Sequence, residues 1–210
     1  MAASAPSPRS SAADATAAPV GTDAPSRCTA FAGARRIAAG TPHEVAAAIK
    51  AVADRDRAAA ILVFDDATGR PVEFDLRGTL AEVVARVAAP DAAARGPGRP
   101  RLGVVAREVT LLPRHWEWLN SQPGGASVAL RKLVEAARSA SANDDRIRHA
   151  REAAHRFATA MAGNEPGYEE SLRALYAGDR ATFERLAARW PADIGTYAMR
   201  LATAAWGGSE

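Results

Sequence analysis

The chain has 210 residues, 48% of them hydrophobic, and a formal net charge of +3. This length is enough for one full core, or for two small ones once a tail is set aside. Its apolar runs are far shorter than the roughly eighteen residues that cross a bilayer. The single cysteine, Cys28, excludes an intrachain disulfide and a thiolate zinc site. We therefore expect a cytoplasmic protein without a membrane segment.

Composition and the positions of Gly and Pro predict an α+β protein in five parts. The first part is mostly Ala, Ser, Pro and Thr, a mixture that cannot offset its ordering entropy. The last part is predicted to be a bundle of helices. The five parts are a disordered tail (1–27), a small α+β domain (28–90), a Pro/Gly/Arg linker (91–101), a strand-helix-helix element (102–141) and a C-terminal helical region (142–206).

Within the first domain, a hairpin around Gly33 is predicted, followed by a helix that Thr41 and Glu44 open with a capping box. The apolar run 60–64 predicts a buried strand, and the Asp-rich turn after it predicts a return strand, Val72–Leu76. A second helix begins after Thr79.

Positive charge is concentrated in one short segment. Residues 95–141 carry eight basic and three acidic side chains, a balance of +5, whereas 1–94 and 142–210 each balance at −1. The segment is predicted to form a strand, Val104–Leu112, a helix, Arg114–Ser121, a Gly-rich turn and a second helix, Ser127–Ala140. Such a patch attracts anionic partners.

Beyond this segment, Asn143 is predicted to cap a longer helix that Gly163 ends. Three shorter helices are predicted over 168–177, 179–189 and 193–205.

The order strand, Pro, helix, Gly-rich turn, helix over residues 104–140 resembles that of the ribbon-helix-helix repressors. The resemblance implies a two-chain ribbon in the major groove of double-stranded DNA, a homodimer, and a phosphate at the start of the second helix. The residues expected to bind nucleic acid are Arg99, Arg101, Arg107, Arg114, Gly125 and Ser127.

Two registers of the strand remain open. The register of that family buries Leu112, Thr110 and Glu108 and turns Arg107 toward DNA, at the cost of a buried carboxylate. The opposite register buries Val109 and Leu111 and turns Leu112 and Glu108 outward. Pairing between chains or within one chain is equally open.

The layout of residues 29–201 also resembles an uncharacterised bacterial family, a domain of unknown function. Two runs carry this resemblance: LGVVAREVTLLPRHWEWL, residues 102–119, and GGASVAL, residues 124–130. It implies no known activity.

No catalytic, metal or cofactor site is predicted. Glu152 and His155 have the Glu-x-x-His spacing of di-iron bundles, but no second pair accompanies them. Asp65 and Asp66 are more typical of a turn than of a cation site. Cys28 is interpreted as a small hydrophobic residue.

Three functions are compatible with these patterns: a dimeric DNA-binding regulator of transcription, a non-catalytic interaction or dimerisation module, and an enzyme of unrecognised type. Trp116 and Trp118 bear on the second function, since they lie about 200° apart on a helix. Only one of the two can face the core of its own chain.

Overall fold

The computed structural model describes residues 27–88 and 107–207, and the structural statements below concern these residues. The predicted tail, apart from Arg27, and the predicted linker lie outside them, as do residues 102–106 of the next element. In chain order the elements are β1 (Cys28–Ala32), β2 (Arg35–Gly40), α1 (Pro42–Arg55), β3 (Ile61–Asp65), α2 (Leu80–Ala88), α3 (Pro113–Ser121), α4 (Gly125–Ala162), α5 (Tyr168–Ala177), α6 (Arg180–Ala187) and α7 (Ala192–Ala202), with a 3-10 turn, Thr203–Trp206, at the end. The predicted α+β class is confirmed.

The sheet has the order β2-β1-β3 and is antiparallel throughout. The predicted hairpin is confirmed, and Gly33 turns it with a φ of 55°, in the region that glycine alone enters freely. The third strand is also confirmed, one residue later than predicted.

The predicted return strand over 72–76 is wrong. Only Pro71 bridges Phe64, and the Val72 N–H donates to the Val63 carbonyl at 2.8 Å. Beyond that point the chain leaves the sheet, because the guanidinium of Arg86 binds the carbonyls of Asp75 and Arg77 and holds this segment against α2 instead.

Helix starts follow the sequence closely. The Thr41 side chain accepts from the Glu44 N–H, and the Glu44 carboxylate accepts from the Thr41 N–H at 2.8 Å, which completes the predicted capping box of α1. Thr79 and Glu82 make the same pair of bonds at α2.

The sheet is buried on both faces, as its alternating side chains require. On one face Ala30 and Val63 pack with Val45 and Ile49 of α1. On the other face Phe31 and Phe64 join the core of the C-terminal helices. The N-terminal unit therefore shares its core with the helical region.

The helical side of this core centres on four aromatic rings. Phe157 of α4 lies 4.9 Å from Phe64 and 5.4 Å from Phe31 between ring centroids, and 4.5 Å from Tyr197 of α7. Edge-to-face packing of this kind adds to the energy of burial.

One helix replaces the two that were predicted over 127–163. α4 runs without a break for 38 residues, so the expected boundary at Asn143 is wrong. The side chains that favour a cap are engaged along the helix instead: Asn143 accepts from Arg146 at 2.9 Å, and Ser141 donates to Asp145 at 3.0 Å. With no Gly or Pro between 126 and 162, nothing in the backbone forces an end.

Among the described residues, no helix is long and apolar enough to cross a membrane.

Candidate functional site

The predicted strand at 104–112 is not found over its described part. Residues 107–112 form no strand, and Val109 and Leu112 are 53% and 50% exposed while Leu111 is half-buried. This pattern contradicts the first register at Leu112, and it agrees with the second at Leu111 and Leu112 but not at Val109. A strand needs a partner for its N–H and C=O groups, and each strand of the sheet pairs with another strand of that sheet, not with this segment.

The two helices of the predicted element do form, as a helical hairpin. We call α3 and the first part of α4, residues 113–141, the arm. Leu119 and Ala129 are buried between its two helices, and Gly124 turns the chain with a φ of 87°. Past this contact every residue from 131 to 140 is exposed, a stretch about 15 Å long.

The arm and the segment before it carry much of the exposed apolar surface. Trp116 is half-buried, whereas Trp118 is 51% exposed, as expected from their opposed directions. Eight large hydrophobic side chains of the described residues are exposed, and five of them lie between 107 and 134: Val109, Leu112, Trp118, Leu133 and Val134.

Four of the six residues expected to bind nucleic acid lie in the described part of the chain. Arg99 and Arg101 lie outside the described residues, and Arg107 and Arg114 are exposed. Arg114 lies in the first turn of α3, about 10 Å along that helix from its last residue, Ser121.

The turn itself is occupied by contacts within the chain. The Gly125 N–H donates to the Gln122 carbonyl at 2.9 Å. The Ser127 hydroxyl accepts from Arg131 at 3.1 Å. The Gly125 N–H is therefore used within the chain, whereas the Ser127 hydroxyl keeps its own proton to donate.

A polar network that the sequence did not reveal joins the sheet to α7. One carboxylate oxygen of Asp66, Oδ1, accepts from the Thr29 and Tyr197 hydroxyls, both at 2.8 Å, and lies 2.7 Å from an Arg200 nitrogen. The Arg200 guanidinium also lies 4.5 Å from the centre of the Tyr197 ring. Burial, then the bond and charge of Asp66, raise the pKa of Tyr197 far above its ordinary value, so its hydroxyl remains a donor.

A family described as "Uncharacterized protein conserved in bacteria (DUF2239)" has a sequence model that matches residues 27–202. The chain belongs to this family. The expected resemblance to an uncharacterised bacterial family is thereby confirmed, and the ribbon-helix-helix resemblance is not. No curated protein and no solved structure matches the chain.

In this DUF2239 chain the side chains considered for chemistry have ordinary partners. Glu152 pairs with Arg156 at 2.8 Å, and His155 bonds the Tyr176 hydroxyl at 2.8 Å. Asp65 accepts from the N–H and hydroxyl of Thr68, as a turn residue does. Within 27–88 and 107–207 there is no cluster of three or more side chains that could hold a metal ion.

Cys28 is buried in the sheet of the DUF2239 chain. Burial, with smaller contributions from Asp66 and Asp65, raises the pKa of its thiol to about 11. Because the thiolate is the nucleophile, a thiol that stays protonated at neutral pH is inert.

Proposed function

We propose that this chain is a non-catalytic dimerisation module, in which the arm packs against the arm of a second copy to form a four-helix bundle. The competing proposal is DNA binding, for which the described residues offer no strand over 107–112. What remains is positive charge, which attracts anions without giving specificity.

The observation that carries the proposal is the exposure of the arm. Leu133 and Val134, on a stretch without any buried residue, are 48% and 55% exposed. A helix owes most of its stability in proteins to packing of its apolar face, and α3 covers only the start of α4. A partner that covers this face would bury both side chains.

The sequence of α4 favours a second copy as that partner. Two antiparallel helices that cross on a two-fold axis at Leu133 bring together residues equally far before and after it. Leu130 then lies opposite Ala136, so that a large side chain meets a small one.

Hairpins of two helices that pair into bundles are a common way to bury such faces. A two-fold interface also explains why Trp118 is placed on the outside of α3: in the bundle it covers the neighbouring chain. The half-exposed leucine and valine then become core residues.

Replacing Leu133 by aspartate should weaken dimerisation by about 100-fold or more. Each dimer loses two buried leucines, worth roughly 1.5–3 kcal/mol each, and gains two carboxylates in the interface. Sedimentation velocity over a range of concentrations measures the change.

Leu80→Asp is the matched control. Leu80 is also 48% exposed but begins α2, away from the arm, and aspartate is well tolerated in the first turn of a helix. The control should associate like the wild-type chain. Equal association of all three proteins would contradict the proposal.

A further inference from the structure

An open cavity of about 430 Å³ lies where the arm ends and the body of the protein begins. Its wall is formed by the turn after β3, by α4 from Ala142 to Ala150, by the end of α7 and by Ala204 of the 3-10 turn. Pockets for small molecules have volumes of roughly 300–1,000 Å³ and commonly lie between structural units. This cavity lies between the sheet and the helical region.

Basic side chains reach the cavity from two elements. Arg146 and His149 come from consecutive turns of α4, and Arg200 comes from α7. Two carboxylates, Asp66 and Asp145, also line it. The balance between these charges determines what the cavity can hold.

The carboxylate of Asp145 is bound by side chains of its own helix, α4. The Ser141 hydroxyl donates to the Asp145 carboxylate, and the Arg148 guanidinium lies 2.6 Å from it. The bond from Ser141 lowers the pKa of Asp145 most, followed by the charge of Arg148 and then by that of His149. Asp66 is neutralised by Arg200.

Arg146 is the cation that remains. Among the residues that the structure describes, no carboxylate lies within 4 Å of its guanidinium, and its one hydrogen bond goes to the amide of Asn143. A guanidinium has five N–H donors in a planar fork that matches a carboxylate or a phosphate. Arg146 and the exposed edge of Arg200 are thus able to bind one anionic group.

The second oxygen of Asp66 is an acceptor that a ligand could use. Its Oδ1 accepts every hydrogen bond that the described residues give to this carboxylate, and its Oδ2 accepts none of them. The side chain is 14% exposed and lines the cavity. A hydroxyl on the ligand would satisfy the remaining oxygen.

We infer that this cavity binds a small phosphorylated or carboxylated compound that also carries a hydroxyl group. Arg146 and Arg200 bind the anion, and Asp66 accepts from the hydroxyl. No residue of its wall belongs to the apolar face at Leu133. Its test measures the affinity for a small anion, whereas the test of the dimer measures association of two chains.

Isothermal titration calorimetry on the full chain tests the inference with three probes. Glycerol 3-phosphate and malate each combine an anion with a hydroxyl, and the one that binds more tightly identifies the anionic group. Glycerol carries no charge and should not bind. Arg146→Ala should weaken binding of the preferred anion by about tenfold or more.

Arg189→Ala is the matched control, because Arg189 is exposed and lies outside both the cavity and the arm. It removes the same unit of charge and should leave the affinity unchanged. Two results would overturn the inference: no saturable binding of either anion at millimolar concentration, or an equal loss in both variants, which would indicate attraction by net charge alone.

Discussion

Replacing Asp66 by alanine should lower the free energy of unfolding by about 4 kcal/mol. The change removes the acceptor for two hydroxyls, those of Thr29 and Tyr197, whose side chains are 0% and 1% exposed. Buried donors without a partner cost roughly 1–3 kcal/mol each. Arg200 also loses its carboxylate partner, but its guanidinium is half-exposed, so water solvates it and this loss costs little. Urea unfolding followed by circular dichroism, at one protein concentration, measures the difference.

Asp144→Ala provides the control for this change. Asp144 is exposed on α4 and makes no side-chain hydrogen bond within the described residues, so its loss should alter stability by less than about 1 kcal/mol. If the two variants unfold at the same urea concentration, the network does not join the sheet to α7 as described.

Replacing Gly69 by alanine should cost about 3 kcal/mol. Gly69 has a φ of 65°, which strains any residue with a Cβ. A Cβ built there would also collide with the backbone carbonyl oxygen of Ala153 on α4, which is not able to move aside as a flexible side chain would. This is the point where the turn after β3 touches the long helix.

Gly33→Ala separates the two causes. Gly33 has a similar φ of 55°, but a Cβ at that position meets nothing within 4 Å. It should therefore cost only the conformational strain, roughly 1 kcal/mol. Equal melting temperatures for the two variants would show that close packing of the turn against α4 contributes nothing.

Local features were predictable from the sequence because their causes lie within a few residues. Thr41 and Glu44 form both bonds of a capping box three residues apart, and Gly33 marks a turn by its own conformational freedom. The separation of Trp116 from Trp118 follows from helix geometry alone.

Features that depend on distant partners were not predictable. Asp66 and Tyr197 are 131 residues apart in the chain. Each has a sufficient local explanation, because Asp66 is typical of a turn and Tyr197 of a helical core. Nothing in a single sequence pairs them. The division of α4 into two helices failed for a related reason, since Asn143 has a helix-capping side chain but finds Arg146 as its partner.

The error at 107–112 has the same origin. Alternating apolar residues predicted a strand, yet a strand also depends on a neighbour that the chain does not provide there. The helix before Gly124 and, within two residues, the start of the helix after it were predicted correctly, because their signals are local. The hairpin they form, and the apolar face that it leaves uncovered, became apparent only in three dimensions.

The two-fold axis at Leu133 is tested most directly by a disulfide across it. In the proposed dimer the two copies of residue 133 face each other, so Leu133→Cys should form an intermolecular disulfide under mild oxidation. Two copies of residue 139 would lie about 18 Å apart along the helices, so Ser139→Cys should not. The wild-type chain serves as the blank, because its only thiol, Cys28, is buried.

Non-reducing electrophoresis after oxidation at micromolar concentration distinguishes the outcomes. We expect Leu133→Cys to migrate at twice the chain mass of 21.9 kDa, and Ser139→Cys and the wild-type chain to remain at that mass. Equal cross-linking of both cysteine variants, or none of either, would contradict dimerisation through the arm.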